Sequence, residues 1–318
     1  METNYVIGID AGGTKVAYGL FDRSGAMIDR VQHPTDAKAD GPAFSDKVVE
    51  TVHSLMEKHG LTFDQLAGIG LCMPSHILYE EGYIMMTSNV TGIKNFPMKE
   101  YLEARLPTRI VLDNDGNAAA IAEYRHGAGR GARHMVYMVL GTGLGVGLIF
   151  DGKLFHGTYG WAGEGGHMLA TPGEGILCGC ENSGCYMSYT SGRFIPTHVK
   201  IGLENGIQSE LDPDTADGRR LLEAAARGDL LADQIIEQMA QYLAVCVYNI
   251  YQLLNVNTFV FGGGLTNLGD RLFGRVREIF DGYNKVPLPV HFKMAELKTD
   301  FGIIGAADFI REQREERK

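Results

Sequence analysis

Two short turns of small residues stand out, AGGT (Ala11 to Thr14) and GTG (Gly141, Thr142, Gly143). Backbone N–H groups in such turns can approach phosphate oxygens closely, and the Thr14 and Thr142 hydroxyls add donors. Phosphoryl transfer needs the leaving phosphates held, their charge neutralised, and the attacking hydroxyl aligned and relieved of its proton. Asp10, at the end of an apolar run, can hold Mg²⁺ through one direct or water-mediated contact, the low-count mode that ion prefers; the local alternative is a turn Asp capping its own loop. Asn114 and Asp115 end RIVLDND just before a helical stretch, where open α/β sheets usually bind ligands. There Asp115 can accept a hydroxyl proton and Asn114 can hydrogen-bond a neighbouring hydroxyl, although Asp and Asn also cap helices for purely local reasons. Gly262, Gly263 and Gly264 follow the apolar run TFVF, where they suit either a flat ligand such as adenosine or tight packing at a strand–helix turn.

A third constellation is His167 with Cys178, Cys180 and Cys185. One imidazole and three thiolates have the ligand count and type of a closed structural zinc site. The C-x-C-x₄-C spacing forces a tight loop, and Gly173, Gly175, Gly179 and Gly184 leave little apolar burial to hold it without a staple. Isolated buried thiols are the bland alternative. Glu164, three residues before His167, is carried to the same place and can reach a sugar hydroxyl.

Alternating apolar strands and amphipathic helices position these groups, as in an α/β protein. A strand over Tyr5 to Ile9, the Gly-rich turn, and a return strand over Val16 to Phe21 open the chain. Helices are expected at about Phe44 to Lys58, Asn117 to Arg125, Leu230 to Leu254, 268–281 and Ile303 to Glu315, with strands at 67–73 and 109–113. The opening then recurs. VYMVLGTGLGVGLIFDGK repeats the layout of VIGIDAGGTKVAYGLFDRSG, with Val146 set against Val16, so that the two Gly-rich turns superpose. The repetition predicts two related halves: residues 1–122 with 300–318, and residues 123–299 carrying the cysteine loop. The last helix is expected to pack back on the first half.

Bulk properties narrow the class. The chain has 318 residues, 45% of them hydrophobic and 21% charged, enough for more than one globular core. A net charge of −10 argues against a nucleic-acid face, which needs clustered Lys and Arg. No basic segment followed by an apolar run marks a signal peptide, and no stretch approaches the roughly 18 apolar residues of a membrane span, so a cytoplasmic protein is expected. Three of the five cysteines crowd into the loop, while Cys72 and Cys246 lie in apolar runs and read as reduced core residues.

Taken in order, these motifs resemble the ROK family (repressors, open reading frames and sugar kinases) of the actin-like ATPase superfamily. The resemblance runs from IDAGGTK (Ile9 to Lys15) to IIGAA (Ile303 to Ala307). It implies two actin-like, ribonuclease H-like α/β domains with an interdomain cleft, closure on sugar, and a homodimer. It also implies an ATP- and Mg²⁺-dependent kinase acting on a hydroxyl of a hexose, N-acetylhexosamine or related molecule. DNDGNAAA looks like the catalytic segment, with Asp115 as general base. Asp10, Gly12, Gly13, Thr14, Lys15, Gly141, Thr142, Gly143 and Gly262 to Gly264 are then the nucleotide contacts. Asn89, Asn114, Asp115, Glu164, His167 and Met187 fall at sugar contacts, and His167, Cys178, Cys180 and Cys185 at the zinc ligands.

The sequence departs from the family pattern in three places. The first-domain G-x-G-x-P-G reads Gly70, Cys72, Pro74, Ser75; Glu181 stands where the zinc loop usually has Gly; and GC-x-E, whose Glu contacts the sugar, reads Gly184, Cys185, Tyr186, Met187. The last change puts glucose in doubt as substrate while leaving the phosphate and base residues in place. Two other readings are open. A sugar-sensing ROK regulator carries an N-terminal helix-turn-helix, for which no room is expected ahead of Tyr5. A silent sugar-binding protein is expected to have lost Asp115 or a phosphate turn, and neither is lost.

Overall fold

VIGID and VAYGLF are rich in β-branched and aromatic side chains, and the small turn between them offers no bulk against a tight reversal. In the computed structural model, which describes residues 5–315, they form β1 (Tyr5–Ala11) and β2 (Lys15–Phe21), antiparallel with Ala11 opposite Val16. β3 (Met27–Pro34) and α1 (Gly41–Lys58) follow, then β4 (Leu66–Cys72) and the short strands β5 (Ser75–Leu78), β6 (Tyr83–Thr87) and β7 (Lys94–Phe96). α2 (Met98–Glu103), β8 (Ile110–Asp113) and α3 (Asp115–His126) complete this stretch. The main sheet has the order β3-β2-β1-β4-β8, with β4 and β8 parallel to β1, and β5-β6-β7 form a separate sheet.

The layout recurs in β9 (Met135–Leu140), β10 (Leu144–Phe150) and β11 (Lys153–Leu154). Helices α4 (Tyr186–Thr190), α5 (Ile195–Glu204), α6 (Gly218–Ala226) and α7 (Leu230–Leu254) precede β12 (Thr258–Gly262). α8 (Gly269–Tyr283), β13 (His291–Met294) and α9 (Phe301–Glu315) end the described chain. The second sheet, β11-β10-β9-β12-β13, runs β9, β12 and β13 parallel. Its plan matches the first: a hairpin with a further antiparallel strand on one side and parallel strands on the other, as the internal repeat predicts. By internal contacts the chain divides into one unit of residues 5–133, 147–162 and 296–315 and another of 134–146 and 163–295.

In the first unit, Phe44, Val48, Val52 and Leu55 of α1 share a core with Ile7, Ile9, Tyr18 and Leu71. Residues alternate across a strand, so Gly8 and Gly70 serve α9. A Cβ on Gly8 would stand 2.1 Å from the Ile303 carbonyl oxygen, and one on Gly70 only 1.7 Å from that of Ala306, so the helix backbone lies directly on the sheet. In the second unit, α7 buries Leu231, Ile235, Met239, Leu243 and Val247 and packs on α8. Cys72 and Cys246 are buried free thiols, as expected. Among the described residues no helix is long and apolar enough to cross a membrane.

Candidate functional site

The parallel register of the first sheet sets Asp10 beside Cys72 and Cys72 beside Asp113, so three side chains line up at the carboxyl ends of β1, β4 and β8. Burial raises the Asp10 pKa, with the Cys72 thiol and the Lys15 charge acting in the opposite direction. The Cys72 Sγ lies 3.8 Å from Asp10 Oδ1 and 3.5 Å from the Gly302 carbonyl oxygen. Burial and the Asp10, Asp115 and Asp113 charges push that thiol far up, so it stays protonated. A Cβ on Gly302 would lie 2.5 Å from Asp10 Oδ2, which puts the first turn of α9 against this carboxyl group.

The β1–β2 turn is pinned by its flanks. Gly12 N–H donates to the Lys15 carbonyl at 3.0 Å, and Thr35 Oγ1 donates to the Gly12 carbonyl at 2.7 Å. Gly13, Thr14 and Lys15 are exposed at the tip. The Asn89 amide lies over Gly13, 3.2 Å from where a Cβ would stand. Beyond β8, Asn114 Oδ1 accepts the Asn117 N–H at 2.7 Å and caps α3. Asp115 occupies the first turn, exposed, with its Oδ1 accepting the Gly116 N–H at 3.1 Å. The N-terminal end of a helix favours a carboxylate there. The local and chemical readings of this pair therefore divide between its members: Asn114 caps, and Asp115 faces outward.

In the second unit the GTG turn is held from behind. Gly192 N–H donates to the Gly141 carbonyl at 2.8 Å, and Arg193 N–H to that of Thr142 at 3.3 Å. Packing accounts for two of the three glycines that end β12 and follow it. A Cβ on Gly262 would meet the Tyr137 hydroxyl at 2.1 Å, and one on Gly263, whose φ is 89°, the Leu140 carbonyl at 2.3 Å. Gly264 faces open space.

His167, Cys178, Cys180 and Cys185 offer four ligand atoms within 4.8 Å of one another. Cys178 Sγ lies 3.6 Å from His167 Nδ1, and the Cys180 and Cys185 sulfurs are 3.6 Å apart. A tetrahedral zinc with Zn–S bonds of about 2.3 Å has edges of roughly 3.8 Å, so the donor set fits that ion in type and spacing. Glu164 Oε2 is 3.9 Å from His167 Nε2, the ring nitrogen turned away from the cysteines. Glu181 has φ of 69°, a left-handed conformation that Gly adopts freely and Glu does not. Met187 is half-buried, with its ε-methyl filling the space between Gly143 and Gly166. Ser188 is fully buried, 3.4 Å from the Ile176 carbonyl.

Sequence reasoning missed the buried Asp113 and the partly buried His156, which meet at 2.7 Å. Asp113 opens the DNDGNAAA segment, whose signal lies in Asn114 and Asp115, and nothing in the sequence marks His156.

The two repeated sheets, each with its small-residue hairpin turn, define an actin-like ATPase fold. The ROK family model matches residues 6–313, and the chain belongs to that family. The glucokinase of Halalkalibacterium halodurans is 30% identical to it over 98% of this chain and 97% of its own length. A ROK hexokinase structure from Thermus thermophilus superposes with a TM-score of 0.83 at 27% identity, covering 98% of this chain and 99% of that one. A ROK family glucokinase from Streptomyces griseus, solved with glucose and AMPPNP, gives 0.74 at 28% identity over 97% and 99%.

Proposed function

We propose that this chain transfers the γ-phosphoryl group of ATP to a hydroxyl of a hexose, N-acetylhexosamine or related sugar, with Asp115 as general base. As a ROK protein whose relatives include glucokinases, it is an ATP-dependent sugar kinase; the proposal concerns the residues and the substrate. The observation that carries it is Asp115, exposed in the first turn of α3 at the carboxyl end of the parallel strand β8. The sugar oxygen attacks the γ-phosphorus, the bond to the bridging oxygen of ADP breaks, and the hydroxyl proton passes to the Asp115 carboxylate. Asn114, although a helix cap, keeps its amide nitrogen for a sugar hydroxyl, and Asn89 and Glu164 offer further polar groups.

The exposed amides of Gly13 and Thr14, with Lys15, suit phosphate oxygens, as does the GTG turn, while Gly264 leaves room for the nucleoside. Asp10 is the residue to hold Mg²⁺, which when bound neutralises phosphate charge. His167, Cys178, Cys180 and Cys185 would hold a structural zinc that shapes the loop carrying Met187.

The test is ATP consumption against a panel of hexoses, N-acetylhexosamines, rarer sugars and cyclitols, repeated with Asp115→Asn. Loss of a positioned base lowers kcat by roughly 10²–10⁴-fold and leaves ATP binding nearly unchanged. A variant keeping more than about half of the wild-type kcat rules out this role for Asp115.

A further inference from the structure

Asp113 is 2% exposed, directly precedes the proposed catalytic pair, and uses both carboxyl oxygens. Its Oδ1 accepts the Asn114 backbone N–H at 2.7 Å and the Asn117 amide N–H at 2.9 Å. Its Oδ2 stands 2.7 Å from His156 Nε2. Asn117 in turn donates its backbone N–H to the Asn114 side chain, so the peptide leading into Asp115 is held from both sides.

His156 is itself fixed. The Tyr79 ring stacks on it at 3.7 Å with an interplanar angle of 14°, and Gln313 Nε2 holds the Tyr79 hydroxyl at 3.0 Å. The His156 carbonyl accepts the Ala162 N–H at 3.0 Å, which closes the loop on which it sits. Burial disfavours the imidazolium, but the hydrogen bond and charge of Asp113 outweigh that and raise the His156 pKa. A buried carboxylate with such a partner is costly to leave half-satisfied.

We infer that His156 is a positioning residue for phosphoryl transfer: through Asp113 it fixes the Asn114–Asn117 turn and hence the direction of the Asp115 carboxylate. The inference rests on the reading of Asp115 as base. His156 does not touch substrate; it acts two residues away. Misplacing a reacting group by about 1 Å can cost on the order of 10²-fold in rate, whereas ground-state binding by other residues is untouched.

The experiment compares His156→Leu, His156→Gln and His156→Asn, using ATP and the sugar turned over fastest in the panel, with zinc content and Tm measured alongside. Gln places an amide N–H near the Nε2 position and keeps the donor to Asp113; Asn is too short to reach, and Leu has no donor. Leu and Asn are expected to lower kcat about 10- to 100-fold with both KM values within about threefold, and Gln to recover to within about fivefold of wild type. Asp113→Asn is expected to match Leu, with no further loss in the double variant, because the pair acts as a unit. If Leu does not fold, the Gln–Asn contrast carries the test. A lowered Tm with kcat per folded enzyme unchanged overturns the inference, as does a Gln variant no better than Asn or an effect confined to KM. If Asp115→Asn is inactive while the His156 variants are not, only this inference fails; if Asp115→Asn stays active, the base reading fails first.

Discussion

Met187 lies over Gly143 in the second unit: a Cβ on Gly143 would stand 3.5 Å from the Met187 ε-carbon. If position 187 meets the sugar, as the resemblance implies for the carboxylate it replaces, Met187 presents there a thioether that cannot accept a strong hydrogen bond. Ser188 cannot replace that acceptor because it is fully buried. A sugar hydroxyl pressed against Met187 loses the partner it had in water, at about 1–3 kcal/mol.

Met187→Glu is therefore expected to raise kcat/KM for glucose by roughly 5- to 150-fold, and to lower it for a deoxy or substituted ring that suits the thioether. Steady-state kinetics on both sugars decide this. Wild-type enzyme that already uses glucose as well as any sugar tested, with no gain from the carboxylate, shows the substitution to be silent.

One zinc per chain is the expected metal content. Cys180→Ser should lose the ion together with several degrees of Tm, since the binding energy of a structural zinc is folding energy. Chelation of the wild type should do the same. Elemental analysis with calorimetry checks it, and metal-free protein of unchanged Tm and full activity refutes it.

Glu181 holds a left-handed backbone next to Cys180. That conformation costs a non-Gly residue about 1–2 kcal/mol, partly offset by the greater unfolded-state entropy of Gly. Glu181→Gly should stabilise the protein by roughly 0.5–1 kcal/mol without changing the four metal donors. Denaturant midpoints with the zinc content held constant measure it; a destabilised variant shows that the Glu181 side chain contributes more than its backbone costs.

Much of this architecture was legible in the residues. Asp229, whose side chain accepts the Ala232 N–H at 2.9 Å, and Asn255, left-handed at φ of 52°, close α7 at the bounds its apolar spacing predicts. The repeated hairpin showed because its turns are small residues set between apolar strands. The β5-β6-β7 sheet did not show, since strands of four, five and three residues leave too little alternation to count. Asp113 with His156, and Glu123, whose carboxylate accepts the Glu296 and Leu297 N–H groups at 3.1 and 2.7 Å, escaped for another reason. Such pairings join distant parts of the chain and leave no local periodicity.

The seating of α9 on Gly8 and Gly70 also orders events during synthesis. The strands of the first sheet end at Asp113, yet one of its faces is built to receive a helix that begins only at Phe301 and is therefore made much later. At about 5–20 residues per second, that face waits on the order of 10–50 s uncovered. Until then the nascent first unit displays an unpartnered stripe on β1 and β4, a surface suited to chaperone capture, and ribosome stalling or C-terminal truncation would leave it permanently exposed.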